Sequence, residues 1–241
     1  MSDEHASDQR TSDLESGGPK GVGGRPRDRH IDEAVIAAAL AIQEEKGYSG
    51  VSLEAVARRA GTSRPAIYRR WPGRAPLVLA AVADRLDVPT PPDTGCTLCD
   101  MGESFNVFLA AYRTIRPEVL SALYAECAPD PDLRRRYLAT VVEPARHAVG
   151  RTLDRATARG DLRAGVDREL LLDIVGSLVQ YRAMFGREHL SDAEADSAIE
   201  TLLRGAAADY DALLAHSEAL ERAHLGGSAH HVHAPQGASD L

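Results

Sequence analysis

Residues 52–74 constrain this chain more than any other stretch. Leu53, Val56, Ala57 and Ala60 recur at i, i+3, i+4 and i+7, the spacing of a short helix with one apolar face. Gly61 follows, a residue that takes positive φ without strain and stops that helix. Thr62 and Ser63 are placed to accept from the free N–H groups that open a second helix. Pro65 stands in its first turn, where a missing N–H costs nothing. This second helix is too short and too polar to be core. Ala66, Ile67 and part of Tyr68 are its inward-facing residues, and Arg64, Arg69, Arg70 and Arg74 surround them. The pattern predicts a helix-turn-helix whose second helix enters a DNA major groove.

The same residues carry a family resemblance. Ala60-Gly61-Thr62-Ser63, then Tyr68, Trp71 and Arg74, make the segment around residues 27–85 resemble the DNA-binding domain of the TetR family of bacterial transcriptional regulators. In that family an Ala-Gly-x-Ser turn precedes a recognition helix ending in Tyr-x-x-aromatic, and a basic residue follows near the start of a connecting helix. The resemblance implies an all-α chain: an N-terminal three-helix DNA-binding domain and a C-terminal helical domain for ligand binding and dimerisation. Beyond residue 90 it is a resemblance of helical layout only.

Groove chemistry assigns the roles. Arg64 and Arg70 are the candidates for bidentate contact with guanine O6 and N7, and Ala66 for a thymine methyl. Ser52, Thr62, Ser63, Tyr68 and Arg74 are candidate phosphate contacts, which set register rather than sequence; Pro65 and Arg69 share their surface. Tyr68 has two readings, a DNA-backbone contact by resemblance or a mainly structural ring. Trp71 reads as a core anchor. Upstream, Arg25 and Arg27 flank Pro26 in an extended arm suited to a narrow minor groove. The competing reading for any of these arginines is a solvated face.

The net charge of −8 conflicts with DNA binding only until it is divided. Residues 20–75 hold 11 Lys and Arg against 6 Asp and Glu, a balance of +5, and the remainder stands at −13. Phosphate affinity follows local charge, so a basic module can bind DNA while an acidic body stays off it. The longest apolar run, residues 34–42, is about half a membrane span. The polar, acidic first twenty residues hold no signal-peptide pattern, so a cytoplasmic protein is expected.

The chain divides into a Ser-, Asp- and Gly-rich tail (1–24), the DNA-binding domain (25–87), a Pro-rich connector (88–99), a helical effector and dimerisation domain (100–222) and a His-containing tail (223–241). In the DNA-binding domain a first helix, with Ile31, Val35, Ala38 and Ile42 on its apolar face, ends near Lys46-Gly47. In the body, Leu171, Ile174, Val175 and Leu178 form one apolar stripe. Ile199, Leu202, Leu203, Ala206, Tyr210 and Leu213 form another on a single long final helix, and two such helices per protomer predict an intersubunit four-helix bundle. Phe105, Phe108, Tyr112, Tyr124, Tyr137, Tyr181, Met184 and Phe185 are candidates to line a pocket for a small apolar or aromatic effector, or are ordinary core. Pro144 predicts a kink in a helix over 131–159.

Cys96 and Cys99 form a single CxxC in the connector, and Cys127 lies further on. Structural zinc needs four ligands, so no metal and no cofactor are expected, and no catalytic constellation is present. The reading is a homodimeric repressor on a palindromic DNA operator, released by a small molecule. The alternatives are a thiol- or metal-responsive regulator using Cys96, Cys99 and Cys127, and a helical binding protein without specific DNA recognition.

Overall fold

The computed structural model describes residues 29–88, 90–91, 93–186 and 191–228. Among them the regular secondary structure is helical apart from one isolated antiparallel bridge, Leu162 with Ala207. The helices are α1 (Arg29–Gly50), α2 (Leu53–Arg59), α3 (Arg64–Tyr68), α4 (Arg74–Arg85), α5 (Thr97–Thr114), α6 (Pro117–Cys127), α7 (Pro131–Tyr137), α8 (Glu143–Arg159), α9 (Arg168–Phe185), α10 (Asp192–Ala206) and α11 (Tyr210–Ser228). None of the described helices is long and apolar enough to cross a membrane.

Local chemistry sets most boundaries. Gly47, at φ 71°, breaks α1 where the first helix was expected to end. Asp130, Asp167 and Ser191 cap α7, α9 and α10 through side-chain oxygens, and Ser191 with Glu194 completes a capping box.

Three boundaries differ from the sequence reading. Helix α5 starts at Thr97, inside the expected connector, because the Cys96 sulfur accepts from the Cys99 N–H at 3.1 Å and acts as the cap. The single final helix is two helices. Around the break the Arg163 N–H donates to the Ala206 carbonyl at 3.0 Å, and the Ala208 N–H to the Asp161 carbonyl at 2.8 Å. Asp209 then caps the next turn through the Ala212 N–H at 3.0 Å. These partners outside the helix compensate for the interrupted ladder, so an unbroken apolar spacing does not produce an unbroken helix. The last helix also runs to Ser228, into the segment read as a tail.

The kink expected at Pro144 takes a specific form. Leu138–Val142 is a π-helical turn, closed by the Glu143 N–H donating to the Leu138 carbonyl. Pro144 therefore sits in the first turn of α8, where its lack of an N–H is tolerated.

Two cores hold the fold. The first joins α1–α4 to α6 and α7: Val35, Val56, Ile67, Leu77 and Val82 are buried together with Leu120, Leu123 and Cys127. The second joins α5, α8, α9 and α10 through Met101, Phe105, Val149, Leu153, Val175, Ile199 and Leu203. The packing boundary thus falls beyond α4, and the DNA-binding segment shares its core with α6.

This shared core makes a prediction. Leu123→Ala, on α6, will destabilise the fold by about 2–5 kcal/mol and lower the temperature at which the fluorescence of Trp71 changes. An N-terminal domain that melts alone would leave that Trp71 transition where it is.

Candidate DNA-binding site

The turn is assembled from short-range bonds. Ser52 Oγ accepts from the Ala55 N–H at 3.1 Å and opens α2. The Ala60 N–H closes α2 on the Val56 carbonyl at 2.8 Å, and the Thr62 N–H reaches the Ala57 carbonyl at 3.0 Å around Gly61, whose φ of 63° suits glycine. Ser63 Oγ then accepts from the Ala66 N–H at 3.3 Å and opens α3. Ile67 is fully buried and Trp71 half-buried in the first core, which fixes the rotation of α3. That rotation leaves Ser63, Arg64, Pro65, Tyr68 and Arg69 exposed on one face, with Thr62 and Ala66 half-buried behind them. Ser52 and Ser63 use lone pairs in capping and keep their O–H for a phosphate oxygen.

The structure separates the arginines. Arg64 and Arg69 are exposed and make no ion pair among the described residues. Arg58, in the last turn of α2, is exposed in the same way and joins the candidate surface, although the sequence reading passed over it. Its only signal in the sequence is its place two residues before the turn.

Arg70 is turned inward. Its Nε lies 2.5 Å from Asp32 Oδ1 on α1, and its Nη1 donates to the Ala66 carbonyl at 3.2 Å. It braces α3 on α1 instead of standing on the groove face as a base reader. Arg25 and Arg27 lie outside the described residues.

Arg74 also departs from the phosphate role. Its guanidinium donates to Glu126 Oε2 through Nε at 2.9 Å and Nη2 at 2.5 Å, and lies 4.6 Å from the centroid of the Tyr48 ring. The Tyr48 hydroxyl donates to the same Glu126 oxygen at 2.8 Å. Helix α4 has no side-chain cap of its own at Gly73, and a cation at its N-terminus opposes the helix dipole. Glu126 compensates from α6.

Burial pulls the Glu126 carboxyl up, but hydrogen bonds from Arg74 and Tyr48, the Arg74 charge and the Ala75 N–H outweigh it, so it is held below its ordinary range. Burial, with the hydrogen bond to Glu126, pushes the Tyr48 phenol up. At the other end of α6, Arg116 Nη2 donates to the Gln43 carbonyl of α1 at 3.0 Å.

The body candidates also divide. Phe108, Tyr112, Tyr124, Tyr137 and Met184 line one cavity of about 340 Å³ between α5, α6, the π turn, α8 and α9. Phe105 is buried in the second core instead. Tyr181 and Phe185, 62% and 74% exposed, lie against each other with tilted rings 5.7 Å apart on the outer side of α9.

Of the expected interface, Leu171, Ile174, Leu178, Leu202 and Ala206 line an apolar groove of about 960 Å³ between α9 and α10. Val175, Ile199, Leu203 and Leu213 are buried within this chain, and Tyr210 lies beneath the Arg204 guanidinium at 4.3 Å. The cysteines do not gather at one place. Cys96 and Cys99 form a disulfide at the start of α5, and Cys127 is buried in the first core.

Comparison with known proteins agrees with this geometry. The family model "Bacterial regulatory proteins, tetR family" matches residues 35–81, and "Tetracyclin repressor-like, C-terminal domain" matches residues 91–202. The DNA-binding transcriptional repressor TetR of Mycobacteroides abscessus is 30% identical over 159 residues, covering 64% of this chain and 82% of the relative. This chain belongs to the TetR family. A further relative, the helix-turn-helix transcriptional regulator YdeS of Bacillus subtilis, is 28% identical over 187 residues, 76% of this chain and 92% of its own. The crystal structure of the TetR family regulator SCO0332 has a TM-score of 0.55 at 27% identity, covering 73% of this chain and 98% of that one. The chain is therefore a DNA-binding transcriptional regulator of the helix-turn-helix class, as its relatives are.

Two predictions follow from the side chains of this TetR-family site. Arg64→Ala will lose about 1–3 kcal/mol of discrimination at one base pair in competition binding, whereas Arg70→Ala will weaken all duplexes alike and lower thermal stability. Because Glu126 is held below its ordinary range, the stability it adds is full at neutral pH and disappears as pH falls through its lowered value. In denaturant melts the advantage of the wild type over Glu126→Gln will therefore persist from pH 8 to 5 and vanish on further acidification.

Proposed function

We propose that this TetR-family chain is a homodimeric repressor that holds a palindromic operator until a small molecule enters the cavity beneath α6. The observation that carries this reading is the placement of α6. Ser121 and Tyr124 of that helix line the cavity, and Glu126, less than one turn further on, holds Arg74 at the start of α4. A ligand that displaces Tyr124 moves the carboxylate that caps α4, and α4 leads back to α3. The coupling required is about 1–3 kcal/mol, ordinary for two linked sites.

The dimer is supported by α9. Leu170, Ile174, Tyr181 and Phe185 fall at i, i+4, i+11 and i+15 and are 45–74% exposed. An apolar stripe of this length marks an interface, and it runs beside the groove between α9 and α10. Two-fold pairing would place two α3 helices on successive major grooves, about 34–36 Å apart. The relative in Mycobacteroides abscessus is named a repressor, which supports that sign of regulation here.

A second reading takes the Cys96–Cys99 disulfide as an input, because it closes the first turn of α5 and touches Ser217 of α11 at 3.4 Å from Cys99. Replacing Cys96 and Cys99 with Ser will leave small-molecule release intact if the cavity is the sensor, and will abolish it if the thiols are.

The decisive experiment is selection of bound sequences from random duplexes near 150 mM salt, run beside Ile174→Arg. The wild type will recover a motif with two symmetric half-sites. Ile174→Arg will sediment as a monomer and recover none. A monomeric wild type, or a motif without symmetry, would end the dimeric reading.

A further inference from the structure

The cavity that the proposed function uses as its effector site has a chemistry that narrows the ligand. Its floor is aromatic and aliphatic: Phe108 and Tyr112 from α5, Tyr137, and Val141 and Val142 of the π turn. Tyr124 and Tyr137 stand tilted with centroids 5.2 Å apart, and Gly176 in the facing helix lets the Phe108 ring approach to where a Cβ would be 3.2 Å away. Such walls favour flat rings.

Among the described residues two charged ones line the cavity, Arg146 and Asp173, and they neutralise each other: Arg146 Nη1 donates to Asp173 Oδ1 at 2.5 Å. The other arm of Arg146 is taken by Glu169 at 2.8 Å. A ligand carboxylate would have to displace one of these partners, and an ammonium would find no carboxylate without an arginine on it.

The hydrogen-bonding groups left over are uncharged. Tyr112 and Tyr124, with Ser177 and Gln180 at the mouth, line the cavity, and none makes a side-chain hydrogen bond among the described residues. By contrast, the Tyr137 hydroxyl is committed to the Leu120 carbonyl at 3.2 Å and the Ser121 hydroxyl to the Pro117 carbonyl at 2.6 Å. Burial pushes the Tyr112 phenol up, so it remains a neutral donor. Of the available groups it is the deepest, half-buried between the two cores.

We infer that the cavity takes an uncharged aromatic ligand of two to three rings that carries a hydroxyl or carbonyl oxygen, and that Tyr112 reads that oxygen. The volume sits at the lower end of small-molecule sites, which suits a ligand of this size. The inference rests on the effector-site reading above.

The test is titration calorimetry of the full-length protein with four matched probes: 2-naphthalenemethanol, 2-methylnaphthalene, 2-naphthoate and 2-(aminomethyl)naphthalene. Two variants accompany the wild type: Tyr112→Phe, which keeps the ring, and Ser177→Trp, which blocks the mouth from an exposed position. The alcohol is expected to bind tightest. Tyr112→Phe should weaken it about two- to tenfold, to the level of the methyl compound, whose own binding stays constant. Ser177→Trp should abolish both. A carboxylate or ammonium that binds as tightly as the alcohol, and is blocked by Ser177→Trp, overturns the ligand class and leaves the effector site standing. An alcohol unaffected by Tyr112→Phe overturns the role of Tyr112. Binding that survives Ser177→Trp, or no binding by any probe, overturns the inference and the effector site together.

Discussion

Helix α6 is tied to the DNA-binding segment at three points, and the rest of the molecule depends on that attachment. Arg116 at its start holds a carbonyl of α1, Glu126 at its end holds Arg74 and Tyr48, and Leu120 and Leu123 between them are buried with Leu77 and Val82 of α4. The apolar contact supplies most of the energy, because exposed ion pairs of this kind contribute little by themselves. The polar contacts supply direction. A guanidinium lying on a tyrosine ring while gripping a carboxylate has few ways to rearrange, so α4 and α6 have a defined relative position rather than a sliding one.

How legible this was in the sequence depends on distance along the chain. The break at Gly47, the cap at Ser63, the turn at Gly61 and the inward side of Ile67 are set by neighbours within four residues, and spacing alone revealed them. The cap at Ser52 is equally local, although Ser52 reads from the sequence only as a phosphate contact. Arg70 and Arg74 illustrate the opposite case. Each sits in the arginine-rich stretch 64–74 and reads as a DNA contact, but its partner, Asp32 or Glu126, is 38 or 52 residues away. Nothing in a local window distinguishes a guanidinium that will find a carboxylate after folding from one that will remain in water. The same reason explains the missed break between α10 and α11. The apolar rhythm continues through Ala207, and only pairing with residues 161–163 interrupts it.

In the body the aromatic residues were visible and their grouping was not. Phe108 and Tyr112 are one helical turn apart and converge as the pattern suggests. Tyr181 and Phe185 have the same spacing and face away, because α9 turns Leu172, Val175 and Val179 toward its own core. A stripe of apolar residues reports that a helix has a buried side. It does not report whether the cover comes from the same chain, and α9 carries exposed apolar groups beside its buried ones.

The π turn at Leu138–Val142 decides which residues of α8 look into the molecule. Tyr137 and Ala145 both face the cavity although they are eight residues apart, a spacing that leaves two side chains about 80° out of line on an uninterrupted α-helix. The turn absorbs one residue and brings them back to within about 20°. It therefore works as a phase correction, and the correction is inherited by every residue downstream. A lineage that lost a single codon here would convert the π turn to plain α-helix and leave Val149 and Leu153 facing inward, because seven residues of α-helix and eight with a π turn reach the same phase. A codon lost within α8 itself, where no turn can absorb it, would instead rotate everything beyond it by about 100°.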